Sequence, residues 1–230
     1  MRITLAFFVA VAVASPATAA DRNYSVTSFD RIRVEGPYSV NVTTNVAPFA
    51  RASGDLRAID RVSLRVEGRT LYVRANRPAA GSTLDKPAGP VTINVGTHDL
   101  AHASLSGSGS LAIDKLRGLE FVLLVSGSGS GSIAEADLDK LRVSLVGSAQ
   151  AKLGGKAKQF TGLIRGAGSL DASALATKDA TLGVQGPGGI TATATNSAKI
   201  TASGTATVAL EGGAACELKV TGSAVVTGCL

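Results

Sequence analysis

The sequence predicts an all-β chain, a right-handed β-solenoid (β-helix) wound in rungs of about 20 residues, and three observations predict it. A phrase of the form apolar-x-Gly-small-Gly/Ala recurs seven times, and its central glycines are Gly107, Gly127, Gly147, Gly166, Gly186, Gly204 and Gly222, separated by 20, 20, 19, 20, 18 and 18 residues. Between the phrases, apolar residues alternate with polar or small ones, the period of a strand with one buried face, and helical spacing is nearly absent. Glycine is also abundant, at 27 of 230 residues against a usual share of about 7%, without the triplet period of collagen. A unit this short cannot bury its apolar face alone, but stacking like units covers each face with the next. At about 4.8 Å between neighbouring strands, seven rungs would rise roughly 34 Å.

Taken from the N-terminus, residues 1–20 read as a secretory signal peptide. Arg2 precedes an apolar run from Ile3 to Ala14, then Ser15, Pro16 and small residues. Cleavage before Ala20 and cleavage before Asp21 both satisfy the small-x-small rule, through Ala17-Thr18-Ala19 and Thr18-Ala19-Ala20. No apolar run reaches the roughly 18 to 20 residues of a spanning helix. The mature chain is therefore expected in the periplasm or outside the cell, without a transmembrane segment.

The rest, 21–230, reads as a single β-helix domain with two compositions: residues 21–95 hold 5 glycines and residues 96–230 hold 22. In the first part, Ile32 and Val34, then Val40 and Val42, alternate with polar neighbours around Gly36 and Pro37 and predict two strands. Val62, Leu64 and Val66, then Leu71 and Val73, predict a hairpin across Glu67, Gly68 and Arg69. Asn76 to Pro90, with three prolines and two glycines, predicts a loop. These elements are expected to be irregular rungs that cap the solenoid.

In the regular part, 96–230, one inward set follows each glycine phrase: Leu111 and Ile113, Leu170 and Ala172, Ile190 and Ala192, Val208 and Leu210. A second set precedes the next phrase: Phe121, Leu123 and Val125; Leu141, Val143 and Leu145; Ala180, Leu182 and Val184; Leu218 and Val220. The pattern predicts one inward ladder through Leu105, Val125, Leu145, Ile164, Val184 and Val220. Corner glycines suit positions that need positive φ or that lie too close to the next rung for a side chain. Cys216 and Cys229, an isolated pair in an exported chain, favour a disulfide, since neither a CxxC spacing nor nearby histidines suggest a metal or redox site.

The order of the motifs resembles a known family, the export-signal-bearing bacterial proteins called DUF2807, or putative auto-transporter adhesin, head GIN domain. Phe29, Ile32, Val34 and Gly36 form its Phe-x-x-Ile-x-Val-x-Gly opening, followed by Tyr38, Val40 and Val42. Gly54-Asp55-Leu56 matches its Gly-Asp phrase, Gly68, Leu71 and Val73 its Gly-x-x-Leu-x-Val strand, and Ser106–Gly109 with Ser126–Gly129 its Ser-Gly-Ser-Gly repeat. The resemblance spans about residues 24 to 228. It implies a single-domain β-helix and no established catalytic residues.

Residues that could carry chemistry have a plainer reading. Phe121 to Gly131 resembles a dinucleotide-binding turn, but its glycines are spaced GxGxG, no acidic residue ends the following strand, and the phrase recurs in every rung. Asp114, Asp137, Asp139 and Asp171 fall at different offsets from their glycines and build no calcium roll. His98 and His102 flank Asp99 at helical spacing in a segment without helical pattern, and no third histidine exists to complete a metal site or act as a base. No catalytic, cofactor or metal residue is assigned.

The arginines of the N-terminal part, Arg31, Arg33, Arg51, Arg57, Arg61, Arg65, Arg69, Arg74 and Arg77, alternate with inward residues. Among them Arg61, Arg65 and Arg74 are candidate surface contacts for anionic envelope lipid, glycan or another envelope protein. Formal charge is +6 for the chain and +5 without residues 1–20, which remove Arg2 alone. Mild charge, export and few aromatic residues disfavour nucleic acid. The function expected is an exported, non-catalytic binding, adhesion or scaffold protein of the envelope. The alternative, a glycan-cleaving β-helix enzyme (lyase or hydrolase), needs paired carboxylates or a calcium site within a cleft, for which short coils without long inserted loops leave little room.

Overall fold

The structure, a computed structural model, describes residues 20–76 and 89–229. The proposed signal peptide lies outside the described residues except for Ala20. So do residues 77–88 of the expected loop, Arg77 included. The described residues are all-β, about 75% strand and 3% helix, in a solenoid of about 6 turns.

In chain order the elements are β1 (Ala20–Tyr24), β2 (Arg31–Glu35), β3 (Ser39–Thr44), β4 (Phe49–Gly54), α1 (Leu56–Asp60), β5 (Val62–Glu67), β6 (Thr70–Ala75), β7 (Val91–Thr97) and β8 (His102–Gly107). The repeat follows as β9 (Ser110–Gly127), β10 (Ser130–Gly147), β11 (Gln150–Gly166), β12 (Ser169–Gln185), β13 (Gly189–Gly204), β14 (Thr207–Glu211), β15 (Ala215–Gly222) and β16 (Val225–Thr227). Each strand from β9 to β13 is a bent ribbon of 16 to 18 residues that runs almost a full coil.

Successive coils pair in parallel, and the register repeats the glycine spacing: Ser110 opposes Ser130, Ser130 opposes Gln150, and Gln150 opposes Ser169. Equivalent residues therefore stack, and the alternation read from the sequence becomes a set of columns. The predicted ladder is one such column, Leu105 over Val125, Leu145, Ile164 and Val184, continuing through Ala202 to Val220. All but the last are buried; Val220 is 42% exposed and Leu218 48%, because no rung lies over β15 among the described residues. Phe121 and Phe160 lead the core by size. The Phe160 ring has room because the next inward position is Gly162, whose added Cβ would come within 3.1 Å of it.

The glycine corners are required twice over at Gly127 and Gly166. Both have positive φ, +103° and +117°, and an added Cβ would lie 2.6 and 2.5 Å from the carbonyl oxygen of the corner glycine one rung before, Gly107 and Gly147. The corner column is thus a line of backbone-to-backbone contact in which no side chain fits.

The predicted N-terminal strands and hairpin are present, but their rungs do not stack in chain order. β2 and β3 lie directly on β8 and the start of β9, with Val34 opposite Leu105 and Val40 opposite Leu111. β6 and β7, later in the chain, cover their other side, with Val34 opposite Val73 and Val40 opposite Ile93. Antiparallel β5 closes β6, antiparallel β4 closes β7, and β1 pairs with β4, so this end offers no bare parallel edge. The short α1 starts at Asp55, whose carboxylate accepts hydrogen bonds from the N–H groups of Arg57 at 2.9 Å and Ala58 at 3.3 Å.

At the opposite end Cys216 and Cys229 are joined by a disulfide with Cα atoms 5.7 Å apart. The bridge runs from the start of β15 to just beyond β16 and closes the last rung into a covalent ring. For a 13-residue separation, chain entropy gives a contribution of about 3 kcal/mol. Reducing agent is expected to lower the urea midpoint of the wild type and to leave a Cys216→Ala/Cys229→Ala variant unchanged.

Candidate binding face

In-register stacking also orders the outward positions. Along β9, Leu123 and Val125 point inward, so Val122, Leu124 and Ser126 point out. Their columns continue as Arg142, Ser144 and Val146 on β10, then Thr161, Leu163 and Arg165 on β11. Leu124, Val146 and Leu163 are 37%, 40% and 41% exposed, three aliphatic side chains around Ser144 on one sheet face. Diagonal neighbours of this kind lie about 7 to 8 Å apart, close enough to act as one patch. The Leu163 column proceeds to Gly183, which has no side chain. A depression of about 180 Å³ lies there, bordered by Leu163, Arg165, Gln185 and Thr201.

Two arginines flank the aliphatic residues. Arg142 pairs with Glu120 at 3.0 Å. Arg165, exposed, has no ion pair among the described residues. The sequence carried a signal for this patch, an apolar residue where strand alternation calls for a polar one, in the runs Phe121–Val125, Leu145–Val146 and Leu163–Ile164. Read by periodicity alone, such residues merge with the core.

The same columns run toward the N-terminal layer through His102, Ser104 and Ser106 to Arg31, Arg33 and Glu35. They pass Thr70 and Tyr72 and reach Arg65, opposite Tyr72, and Arg74, opposite Ser63. Arg65 and Arg74 therefore share a face with the aliphatic patch. Arg61 does not: it is half-buried at the end of α1, where its N–H donates to the Ala58 carbonyl at 3.2 Å.

Acidic neighbours hold much of this arginine charge. Arg74 meets Glu67 at 3.4 Å, with its guanidinium 5.5 Å from the Tyr72 ring centre. Arg33 meets Glu35 at 2.8 Å, Arg69 meets Asp30 at 2.7 Å, and Arg22 meets Asp60 at 2.6 Å. Exposed pairs of this sort add little stability, about 0 to 1 kcal/mol each, but they reduce the local field. Burial lowers the pKa of the His102 imidazole from its ordinary value, and the Arg31 guanidinium pushes the same way, both disfavouring the charged ring.

The other residues weighed for chemistry are spread over the molecule. His98 stands in the turn between β7 and β8, apart from outward His102. Asp137 pairs with Lys156 at 3.3 Å and Asp139 with Lys158 at 2.7 Å. Asp114 accepts from the Thr44 N–H at 3.0 Å, tying β3 to β9. Asp171 accepts from the Ser173 hydroxyl at 2.6 Å and N–H at 3.1 Å, which lowers its pKa, the hydroxyl contributing most. Each of these carboxylates is engaged in holding a turn or joining neighbouring rungs. No helix among the described residues is long and apolar enough to cross a membrane.

Comparison with known proteins agrees with this architecture. The family model described as "putative auto-transporter adhesin, head GIN domain" (DUF2807) matches residues 28–214. Among solved structures, a "putative adhesin" from Bacteroides fragilis superposes with a TM-score of 0.77 at 20% identity, covering 92% of this chain and 96% of that one. A "putative lipid binding protein" from Parabacteroides distasonis gives 0.74 at 19% identity, covering 94% and 98%. A "putative adhesin" from Parabacteroides merdae gives 0.68 at 19%, covering 94% and 97%. At these identities the likeness is one of fold. No curated protein matches the chain.

Proposed function

We propose, from the premise that the chain belongs to the DUF2807 family (putative auto-transporter adhesin, head GIN domain), that it is an exported, non-catalytic binding protein of the cell envelope. In this reading residues 1–20 direct export, residues 21–230 form one right-handed β-helix domain in the periplasm or outside the cell, and the Cys216–Cys229 bridge forms there. The names of the family and of its structural neighbours, adhesins and a lipid-binding protein, point to binding rather than to turnover.

One observation carries the reading: the aliphatic grid of Leu124, Val146 and Leu163, flanked by Arg142 and Arg165, on the same face as Arg65 and Arg74. Aliphatic residues beside cations fit an anionic amphiphilic surface, where side chains enter the apolar boundary and guanidiniums meet phosphate or carboxylate groups. An envelope glycan would use the cations without needing the aliphatic residues.

Flotation with vesicles tests this. The mature protein is expected to bind vesicles rich in anionic phospholipid more than zwitterionic ones, and to bind less as salt rises through the physiological range. Leu124→Ser/Leu163→Ser should abolish most binding, and Arg65→Ser/Arg74→Ser should weaken it and flatten its salt dependence. Equal binding to both vesicle types, or none, contradicts the proposal. Cleavage of a glycan panel that one carboxylate substitution abolishes would put the enzyme in its place.

A further inference from the structure

The two ends of the solenoid differ. Antiparallel β5, β4 and β1 close the N-terminal end, whereas β15 pairs only with β13 and leaves its other edge bare among the described residues. On that edge Leu218 and Val220 continue the interior columns yet stand 48% and 42% exposed. An exposed parallel edge with apolar residues is a template for another strand.

Alternation restricts how a second β15 could pair with it. Cys216, Leu218 and Val220 face the interior side and Glu217 and Lys219 the outer side, so a symmetric antiparallel pair must match parity. Centred on Glu217, the pair would set Glu217 against its own copy; centred on Lys219, it would set lysine against lysine. Centred on Leu218, it sets Glu217 opposite Lys219 twice, Leu218 opposite Leu218, and Cys216 opposite Val220. Lys219 has no ion pair of its own among the described residues, and Glu217 faces Lys199 at 2.8 Å on one side only. Unlike charges directly opposite stabilise an antiparallel pair and like charges destabilise it.

We propose that the mature protein forms a two-fold dimer by antiparallel pairing of β15 with β15, in the register centred on Leu218, so that the outward face of one solenoid runs on into its partner. The contact is isologous and closes on itself, which stops growth at two copies. The proposal is independent of what the aliphatic face binds.

Sedimentation equilibrium of the disulfide-intact mature chain across the micromolar range tests it, with circular dichroism as the check on folding. The wild type should show a dimer mass, and Leu218→Lys, at a half-exposed position, should remain folded and become monomeric. Glu217→Lys and Lys219→Glu each create two like-charge pairs and should weaken the dimer about tenfold or more, since about 1.4 kcal/mol is a factor of ten. The double exchange Glu217→Lys/Lys219→Glu should restore it. A monomer at every concentration, a dimer indifferent to Leu218→Lys, or a double exchange no better than the single ones overturns the proposal.

Discussion

Val184→Asp is expected to cost about 3 to 5 kcal/mol, the scale for an uncompensated buried charge, and to leave the protein largely unfolded under conditions where the wild type is folded. Val184 is fully buried between the apolar Ile164 and Ala202 in the interior column that includes Leu105. The loss should depend on pH. Burial raises the pKa of the introduced carboxyl in the folded state above its unfolded value of about 3.9, so between the two values only the folded state holds the proton. Stability of the variant relative to wild type should therefore be highest below about pH 4 and fall as pH rises. Urea titrations at pH 4 and pH 7 check this, and equal losses at the two would mean that position 184 is wet.

Gly166→Ala is expected to cost about 2 to 3 kcal/mol, a large effect for a single methyl group. The added Cβ would meet the Gly147 carbonyl oxygen at 2.5 Å, and that oxygen is fixed because it accepts the Ala167 N–H at 2.9 Å. Backbone strain at φ +117° adds to the clash. Gly183→Ala is the control. Gly183 is not at positive φ, and its added Cβ meets only the end of the exposed Leu163 side chain, at 2.8 Å, which can swing away. Thermal melts of the two variants should separate clearly, and equal shifts would contradict the close packing of the corner column.

The regular coils were legible because position in the sequence and position in the column are linked by one number, the rung length. Once the glycines gave that number, Leu105, Val125, Leu145, Ile164 and Val184 followed, and all five are buried. The N-terminal layer lacks such a clock. Alternation identified β2, β3, β5 and β6 as strands but carries no statement of which neighbour a strand takes, so the interleaving of β6 and β7 outside β2 and β3 was invisible. β7 does alternate, with Val91, Ile93 and Val95 buried, yet its rung length differs from the repeat and it was not among the predicted strands. β4 buries only the small Ala50 and Ala52, and α1 has five residues, too few for a period.

The candidate face was half legible for a related reason. Outward arginines could be named from parity, but the partners that hold them, Asp30 for Arg69 and Asp21 for Arg51, are 39 and 30 positions away in the chain and meet them only in the fold. Leu124 and Leu163 stand next to core residues, so their outward direction depends on knowing the register.

Spin labelling tests most directly whether the face bearing Leu124 and Leu163 is the one that meets the proposed anionic surface. A nitroxide placed by Leu163→Cys should lose access to a polar relaxation agent and gain access to oxygen when the mature protein binds anionic vesicles. A nitroxide placed by Ser132→Cys, an outward position on the strand segment beyond the glycine corner, should stay in water. Unchanged accessibility at position 163, or protection at position 132 instead, would contradict the account.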